Sequence, residues 1–115
     1  MARTDVQTVY VARGVTSGLL KIGRTVALGP RLRAIATQHQ EPVEALAAIR
    51  TGGMYENALL KRFAPSLFPG RGREWFHDDG AIRAFVAALP ADQHCALSAA
   101  PGALGSKPRL ARRAA

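Results

Sequence analysis

Two short segments near the N-terminus, each with apolar residues at alternate positions, constrain the fold of this chain more than any other feature. They span residues 8–13 and 19–24, and their β-branched and aromatic residues favour strands. A turn-rich stretch of hairpin length, 14–18, separates them. Because a shift of one residue would turn a strand's apolar side chains from the core into water, the pattern predicts a hairpin whose two apolar sets share one face.

The register of this hairpin decides which polar side chains meet on its other face. Pairing Val11 with Leu20 places both apolar sets against the core, and Tyr10 then lies directly opposite Lys21. An ammonium beside a phenol favours the phenolate form, which can accept a proton. The alternative interpretation is an ordinary cross-strand pair of an aromatic ring and a lysine.

The pattern after the hairpin predicts a small α+β domain. Apolar residues at helical spacing indicate a first helix that begins near Pro30, and 43–51 is a candidate for a third strand, although its alanines weaken it. A second helix is expected to end near Ala64. Asp78 or Asp79 can cap a last helix.

The charge balance is the first indication of function. The chain has 16 lysines and arginines against 8 aspartates and glutamates, a formal net charge of +8. A basic excess that is mostly arginine favours nucleic acid as the partner, and a solvated basic surface is the alternative. Residues 95–115 contain no acid and no aromatic residue, which predicts a disordered basic tail behind a domain of residues 1–94.

Several classes of protein are disfavoured by composition. No apolar run approaches the roughly 18 residues that a membrane span needs. Residues 1–8 are polar and lack the apolar core of a signal peptide. The single cysteine, Cys95, cannot form an internal disulfide. We therefore expect a cytoplasmic, intracellular protein with no membrane partner.

Two further charged residues are candidates for chemistry. Glu56 heads the apolar helical face that Leu59 and Phe63 continue, so it is either a capping carboxylate or a ligand for Mg²⁺. Arg31 lies in the first turn of the first helix, where a guanidinium can clamp a phosphate and stabilise charge that develops on it. Arg33 fits a solvated basic surface better.

These residues stand in motifs that resemble the GIY-YIG nucleases. The tripeptide at 9–11 (VYV) resembles the first motif of that family, and the one at 21–23 (KIG) resembles the second, in the variant where lysine replaces the second tyrosine. The segments LKIGRT, ENALLKRF and REWF resemble the branch typified by a phage T5 open reading frame. The resemblance implies a three-stranded antiparallel sheet flanked by helices, and hydrolysis of DNA phosphodiesters at a site with one metal ion.

Carried over by position, the resemblance also implies residue roles. Tyr10 would be the general base, and Lys21 would orient the attacking water and tune the tyrosine. Arg31 would bind the scissile phosphate. Glu56 would hold one divalent ion, Mg²⁺ or Mn²⁺. The further basic residues expected to contact DNA are Arg24, Arg33, Lys61, Arg62, Arg71 and Arg73.

The chain also departs from that family. A histidine often stands four residues after the glutamate of the second helix, and this position is Leu60 here. Without a separate recognition domain, we expect a homodimer or a partner protein to supply sequence recognition. The leading hypothesis is a metal-dependent DNA endonuclease or nicking domain. The alternatives are a catalytically weak or inactive DNA-binding module of the same fold, and an interaction domain for an acidic protein.

Overall fold

The computed structural model describes residues 6–102. Its strands and helices, in chain order, are β1 (Val6–Gly14), β2 (Leu20–Thr25), α1 (Leu28–His39), β3 (Val43–Gly52), α2 (Met54–Arg62), β4 (Trp75–Phe76), α3 (Ala81–Ala87) and β5 (Ser98–Ala99). Short 3-10 turns lie at Ala64–Ser66, Pro69–Arg71 and Ala91–Gln93. The α+β class predicted from the sequence is confirmed.

All strands join one antiparallel sheet in the order β4-β2-β1-β3-β5. The prediction of three strands is wrong in number, because β4 and β5 each add one strand at an edge of the central three. Both edge strands have only two residues. A segment of that length has no alternation that a sequence pattern can reveal.

Helices cover both faces of this sheet. Val9 and Val11 belong to a core with side chains of α2 and α3, whereas Tyr10 and Ala12 belong to a second core with side chains of α1. The domain therefore has three layers, and the residues that alternate with the valines of β1 are buried as well. Within residues 6–102, no helix is long and apolar enough to cross a membrane.

The hairpin register differs from the predicted one. Tyr10 pairs with Gly23, and Lys21 pairs with Ala12, so the predicted pairing of Tyr10 with Lys21 is wrong by two residues. A shift of two residues leaves each side chain on its predicted face. The physical reason is the tyrosine ring, because a Cβ atom at position 23 would lie 2.6 Å from Cζ of Tyr10.

The third strand forms despite its alanines, and one of them, Ala48, lies beside Tyr10 in the sheet. On the other side of β1, Tyr10 pairs with Ala48 of β3. The large ring therefore has a glycine beside it on one strand and an alanine on the other. The close approach is on the side of Gly23, where a Cβ atom would collide with the ring.

The ordered domain continues past the predicted boundary at residue 94. The backbone N–H of Cys95 donates to the carbonyl of Leu46 at 3.1 Å, and Ser98–Ala99 pairs with β3. The prediction of a disordered tail is therefore wrong for residues 95–102, because the edge of β3 offers backbone partners that composition does not reveal. The rest of the predicted tail, 103–115, lies outside the described residues.

Glu41, buried just after α1, ties two loops to each other. Its carboxylate accepts hydrogen bonds from the N–H groups of Thr16 (3.0 Å) and Ser17 (2.7 Å) and pairs with Nη1 of Arg71 at 2.8 Å. Burial acts to raise the pKa of Glu41, but the hydrogen bonds from Ser17 and Arg71 outweigh it and hold the pKa below its usual value. Glu41 thus fixes the 69–74 segment against the hairpin loop.

The packing of Tyr10 against Gly23 predicts an asymmetry between two glycine substitutions. We expect Gly23→Ala to lower the free energy of unfolding by about 1–3 kcal/mol, because the added methyl group collides with a buried ring. Gly29→Ala is the control, since a Cβ atom there meets nothing within 4 Å. Position 29 precedes Pro30, whose ring disfavours a Cβ on a helical residue before it, and this opposes the gain in helix propensity, so the change should stay within about 1 kcal/mol of the wild type. Urea unfolding measures the free energy of unfolding of both variants. An equal loss of stability in the two would contradict the pairing of Tyr10 with Gly23.

The buried carboxylate of Glu41 predicts a pH-dependent loss of stability. We expect Glu41→Gln to lower the free energy of unfolding at pH 7 by roughly 2–3 kcal/mol, because it removes charged hydrogen bonds. The folded pKa is lowered, so this contribution is complete above the unfolded pKa near 4.3 and disappears as pH falls through the folded pKa.

The control for this prediction is Glu44→Gln, which removes a half-exposed partner of Arg13. Exposed ion pairs contribute up to about 1 kcal/mol, so this variant should stay near the wild type. Urea unfolding at pH 7 and pH 3 compares the three proteins. A difference between Glu41→Gln and the wild type that persists undiminished at pH 3 would contradict the assignment.

Candidate active site

The centre of the candidate site is the contact between Tyr10 and Arg31. Tyr10 lies in the middle of β1 and is 1 % exposed. Arg31 lies in the first turn of α1, and its Nε donates to the tyrosine hydroxyl across 3.5 Å, a long hydrogen bond. The residue predicted to bind a phosphate therefore contacts the residue predicted to be the base.

The environment of the Tyr10 hydroxyl favours its protonated form. Burial raises the pKa of Tyr10, and the charges of Glu74 and Glu56 raise it further. The hydrogen bond and charge of Arg31 lower this pKa, but by less than burial and the two carboxylates together raise it. The phenol is therefore protonated at neutral pH in the free protein.

Lys21 contacts an acidic residue instead of the tyrosine that was predicted opposite it. Its Nζ pairs with Oε1 of Glu74 at 2.8 Å and lies 5.6 Å from the ring centroid of Trp75. The lysine side chain is only 8 % exposed, so this ion pair is largely withdrawn from water. The cation in contact with the hydroxyl of Tyr10 is Arg31, and Lys21 holds Glu74 in the site.

Glu74 is the residue of this site that sequence reasoning missed. It lies directly before β4, and its carboxylate is close enough to raise the pKa of both Tyr10 and Glu56. The available signal was a glutamate immediately before two aromatic residues, in the segment REWF. No local pattern reveals the role of Glu74, because its ion-pair partner Lys21 lies 53 positions away in the chain.

Glu56 is buried at the start of α2, as its place at the head of the apolar face predicted. Its side chain is 7 % exposed, and Oε1 lies 3.3 Å from Nε of Arg24. Burial raises the pKa of Glu56 and Glu74 raises it further, while the charges of Arg24 and Lys21 lower it by less. Arg24, predicted to contact DNA, is the ion-pair partner of Glu56 here.

The carboxylates of this site fit an open metal site better than a closed one. Within residues 6–102, no group of three or more His, Cys, Asp or Glu side chains is placed to hold a metal ion. Mg²⁺ needs fewer protein ligands than that, because it keeps several waters and often takes one or two protein carboxylates together with phosphate. Glu56 is buried near the charge of Glu74, and a divalent cation would relieve that repulsion.

A cleft of about 660 Å³ opens beside Arg31, on the face of the sheet that α1 covers. Four basic side chains line it against one carboxylate, that of Glu74. The four are Lys21, Arg31, Arg71 and Arg73. Two residues predicted to bind nucleic acid, Arg71 and Arg73, are thus brought together with two predicted catalytic residues.

The remaining predicted nucleic-acid ligands lie outside this cleft. Arg33 is on the exposed side of α1, and Lys61 and Arg62 are exposed in the last turn of α2. The guanidinium of Arg62 lies 5.0 Å from the ring of Phe63, which belongs to the core under α2 and α3. The predicted ligands are therefore divided between the two faces of the domain.

Comparisons of this chain with protein-family models, with curated proteins and with solved structures find no match in any of the three. The functional interpretation accordingly depends on the sequence motifs and on the geometry described above.

Proposed function

We propose that this chain is a metal-dependent DNA endonuclease or nicking domain of the GIY-YIG type. One observation carries the proposal: Arg31, which donates to the hydroxyl of Tyr10, lines a basic cleft together with Lys21. A concave surface rich in arginine suits a polyanion, because the guanidinium binds phosphate oxygens through two parallel hydrogen bonds. An antiparallel sheet flanked by helices is of the α+β class that the resemblance implies, although this sheet has five strands and not three.

Arg31 is the residue that would hold the scissile phosphate. It lines the cleft and at the same time touches the hydroxyl of Tyr10, so a phosphate at Arg31 would lie beside that hydroxyl. Its charge is fixed, since a guanidinium stays protonated at any pH at which the protein is folded. Such a group stabilises negative charge as it develops on the phosphate.

Tyr10 would take the proton of the attacking water. A buried phenol with a raised pKa is a strong base once it has lost its proton, although little of it is deprotonated near neutral pH. Arg31 is the group in contact with it that favours the deprotonated form. Tyr10 would therefore work with a small active fraction that grows as pH rises.

Glu56 would hold one divalent ion, Mg²⁺ or Mn²⁺, with Glu74 as a second carboxylate nearby. Such an ion, when bound, makes water more acidic and stabilises negative charge on the leaving oxygen. Arg24 would leave its ion pair with Glu56 when the cation arrives, and its half-exposed side chain is then free to contact DNA.

The ion pair between Arg24 and Glu56 also favours a second candidate function. A guanidinium 3.3 Å from the carboxylate competes with a metal ion for the same oxygen. If the cation does not displace it, the chain is a DNA-binding module of the same fold without useful catalysis. Cutting and binding must therefore be measured separately.

The proposed roles predict that cutting depends on two side chains and on a metal ion. We expect the wild type to nick supercoiled plasmid or branched DNA with Mg²⁺ or Mn²⁺ and not with a chelator. Glu56→Ala and Tyr10→Phe should each lower the rate by at least about 100-fold, since each removes a group that acts in the reaction. Tyr10→Phe keeps the ring that the sheet is packed around.

Two matched variants control this experiment. Tyr55→Phe changes the other tyrosine, and Asp92→Ala removes an exposed carboxylate outside the site. Both should cut like the wild type. Equal cutting by Glu56→Ala and Asp92→Ala would refute the assigned site. Salt-sensitive DNA binding with no cutting in either metal would reject the nuclease and favour the binding module.

The raised pKa of Tyr10 predicts how the rate depends on pH. If Tyr10 is the base, only its deprotonated form works, and the pKa lies above the usual value near 10. The single-turnover rate with Mg²⁺ should then rise about tenfold per pH unit between pH 6.5 and 9. A level profile over this range would show that the phenol acts as a hydrogen-bond donor and not as the base.

A further inference from the structure

Arg71 is held in place before any ligand arrives. Its Nη1 pairs with Oε2 of the buried Glu41 at 2.8 Å, and its Cζ lies 4.7 Å from the ring centroid of Trp75. A guanidinium that is fixed by a carboxylate on one side and a ring below it is already oriented to donate hydrogen bonds to a phosphate. Within residues 6–102, Glu41 is its hydrogen-bond partner, which leaves the other N–H groups for the cleft.

The cleft is longer than a single phosphate group. Arg31 and His39 both line it, and they are eight residues apart on α1. Eight residues of α-helix span about 12 Å. One strand of duplex DNA carries a phosphate roughly every 3.4 Å along the helix axis. A strand that places one phosphate at Arg31 therefore has others within reach of the far end of the cleft.

The cleft has a further cation besides Arg31, Lys21 and Arg71. Arg73 is exposed and has no ion-pair partner within residues 6–102, and His39 packs edge-on against Trp75 at 5.0 Å. Burial lowers the pKa of His39, and the charges of Arg71 and Lys21 lower it further, against a smaller effect of Glu41. Neighbouring cations disfavour a further positive charge there, which is the electrostatic condition that an anion would relieve.

We propose that Arg71 and Arg73 form a second phosphate site, which binds a backbone phosphate of the same DNA strand whose scissile phosphate lies at Arg31. This inference rests on the proposed function, because it takes DNA as the ligand of the cleft. Glu41 is a positioning residue of this site: it contacts Arg71 and lies behind it, away from the ligand. The chemistry recognised is the phosphodiester backbone, since Trp75 is buried and offers no ring face for a base.

The test measures DNA binding without cutting. A fluorescent duplex oligonucleotide is titrated in a chelator at several salt concentrations, and the slope of log Kd against log salt is compared among variants. Arg73→Ala and Arg71→Ala should each reduce the slope by about one, the value for one lost phosphate contact. Arg50→Ala removes the same charge from an exposed position outside the cleft, and its slope should equal that of the wild type.

Arg73→Ala and one further variant, Arg71→Lys, keep the result interpretable. If Arg71→Ala fails to fold because Glu41 loses its partner, Arg73→Ala carries the test, since Arg73 is exposed and has no such contact. Arg71→Lys keeps the charge but loses the two-pronged donor, and should weaken binding about tenfold. Slopes and affinities of Arg73→Ala and Arg71→Lys that match those of Arg50→Ala would overturn the second phosphate site.

The outcome is independent of whether the chain cuts DNA. Reduced slopes in a wild type that binds but never cuts would support the phosphate site and reject the nuclease. Metal-dependent cutting with unchanged slopes would support the nuclease and reject the phosphate site. Absence of duplex binding at low salt would overturn the phosphate site directly.

Discussion

The packing of Tyr10 in the middle of the sheet is the constraint on which the rest of the structure depends. Its ring lies over Gly23 of β2, where any larger residue would collide with it, and Ala48 of β3 is its pairing partner on the other side. The choice of register in the hairpin follows from this. Because α1 covers the ring, the hydroxyl can reach only groups fixed at the edge of that layer, and Arg31 is the one it meets.

The polar groups around this hydroxyl come from segments that only the folded chain brings together. Antiparallel pairing of Lys21 with Trp75 places Glu74, the residue before β4, beside the lysine. Glu41 in turn fixes Arg71, and with it the wall of the basic cleft, against the hairpin loop. A small domain thus obtains a rigid polar site from short loops, because ion pairs tie Glu74 to β2 and Arg71 to Glu41 behind the hairpin loop.

The sequence predicted those features that depend on local pattern. Alternation identified the hairpin strands, and helical spacing placed Glu56 at the buried start of α2. The sequence pattern did not predict the hairpin register, because a shift of two residues leaves every side chain on the same face and the hydrophobic pattern unchanged. It also did not predict the two-residue edge strands or the ion pair of Lys21 with Glu74, since these depend on contacts between segments far apart in the chain.

We propose that a divalent cation binds at Glu56, near the tyrosine that would act with Arg31 on a DNA phosphate. The most direct test is an NMR titration of the labelled protein with paramagnetic Mn²⁺, in the presence of an uncleavable duplex. With Mn²⁺ well below one equivalent, we expect the strongest loss of amide signals around Glu56, Lys21 and Glu74, weaker loss around Glu41, and no such pattern in Glu56→Gln. Signal loss that is uniform, or that persists in Glu56→Gln, would contradict the claim.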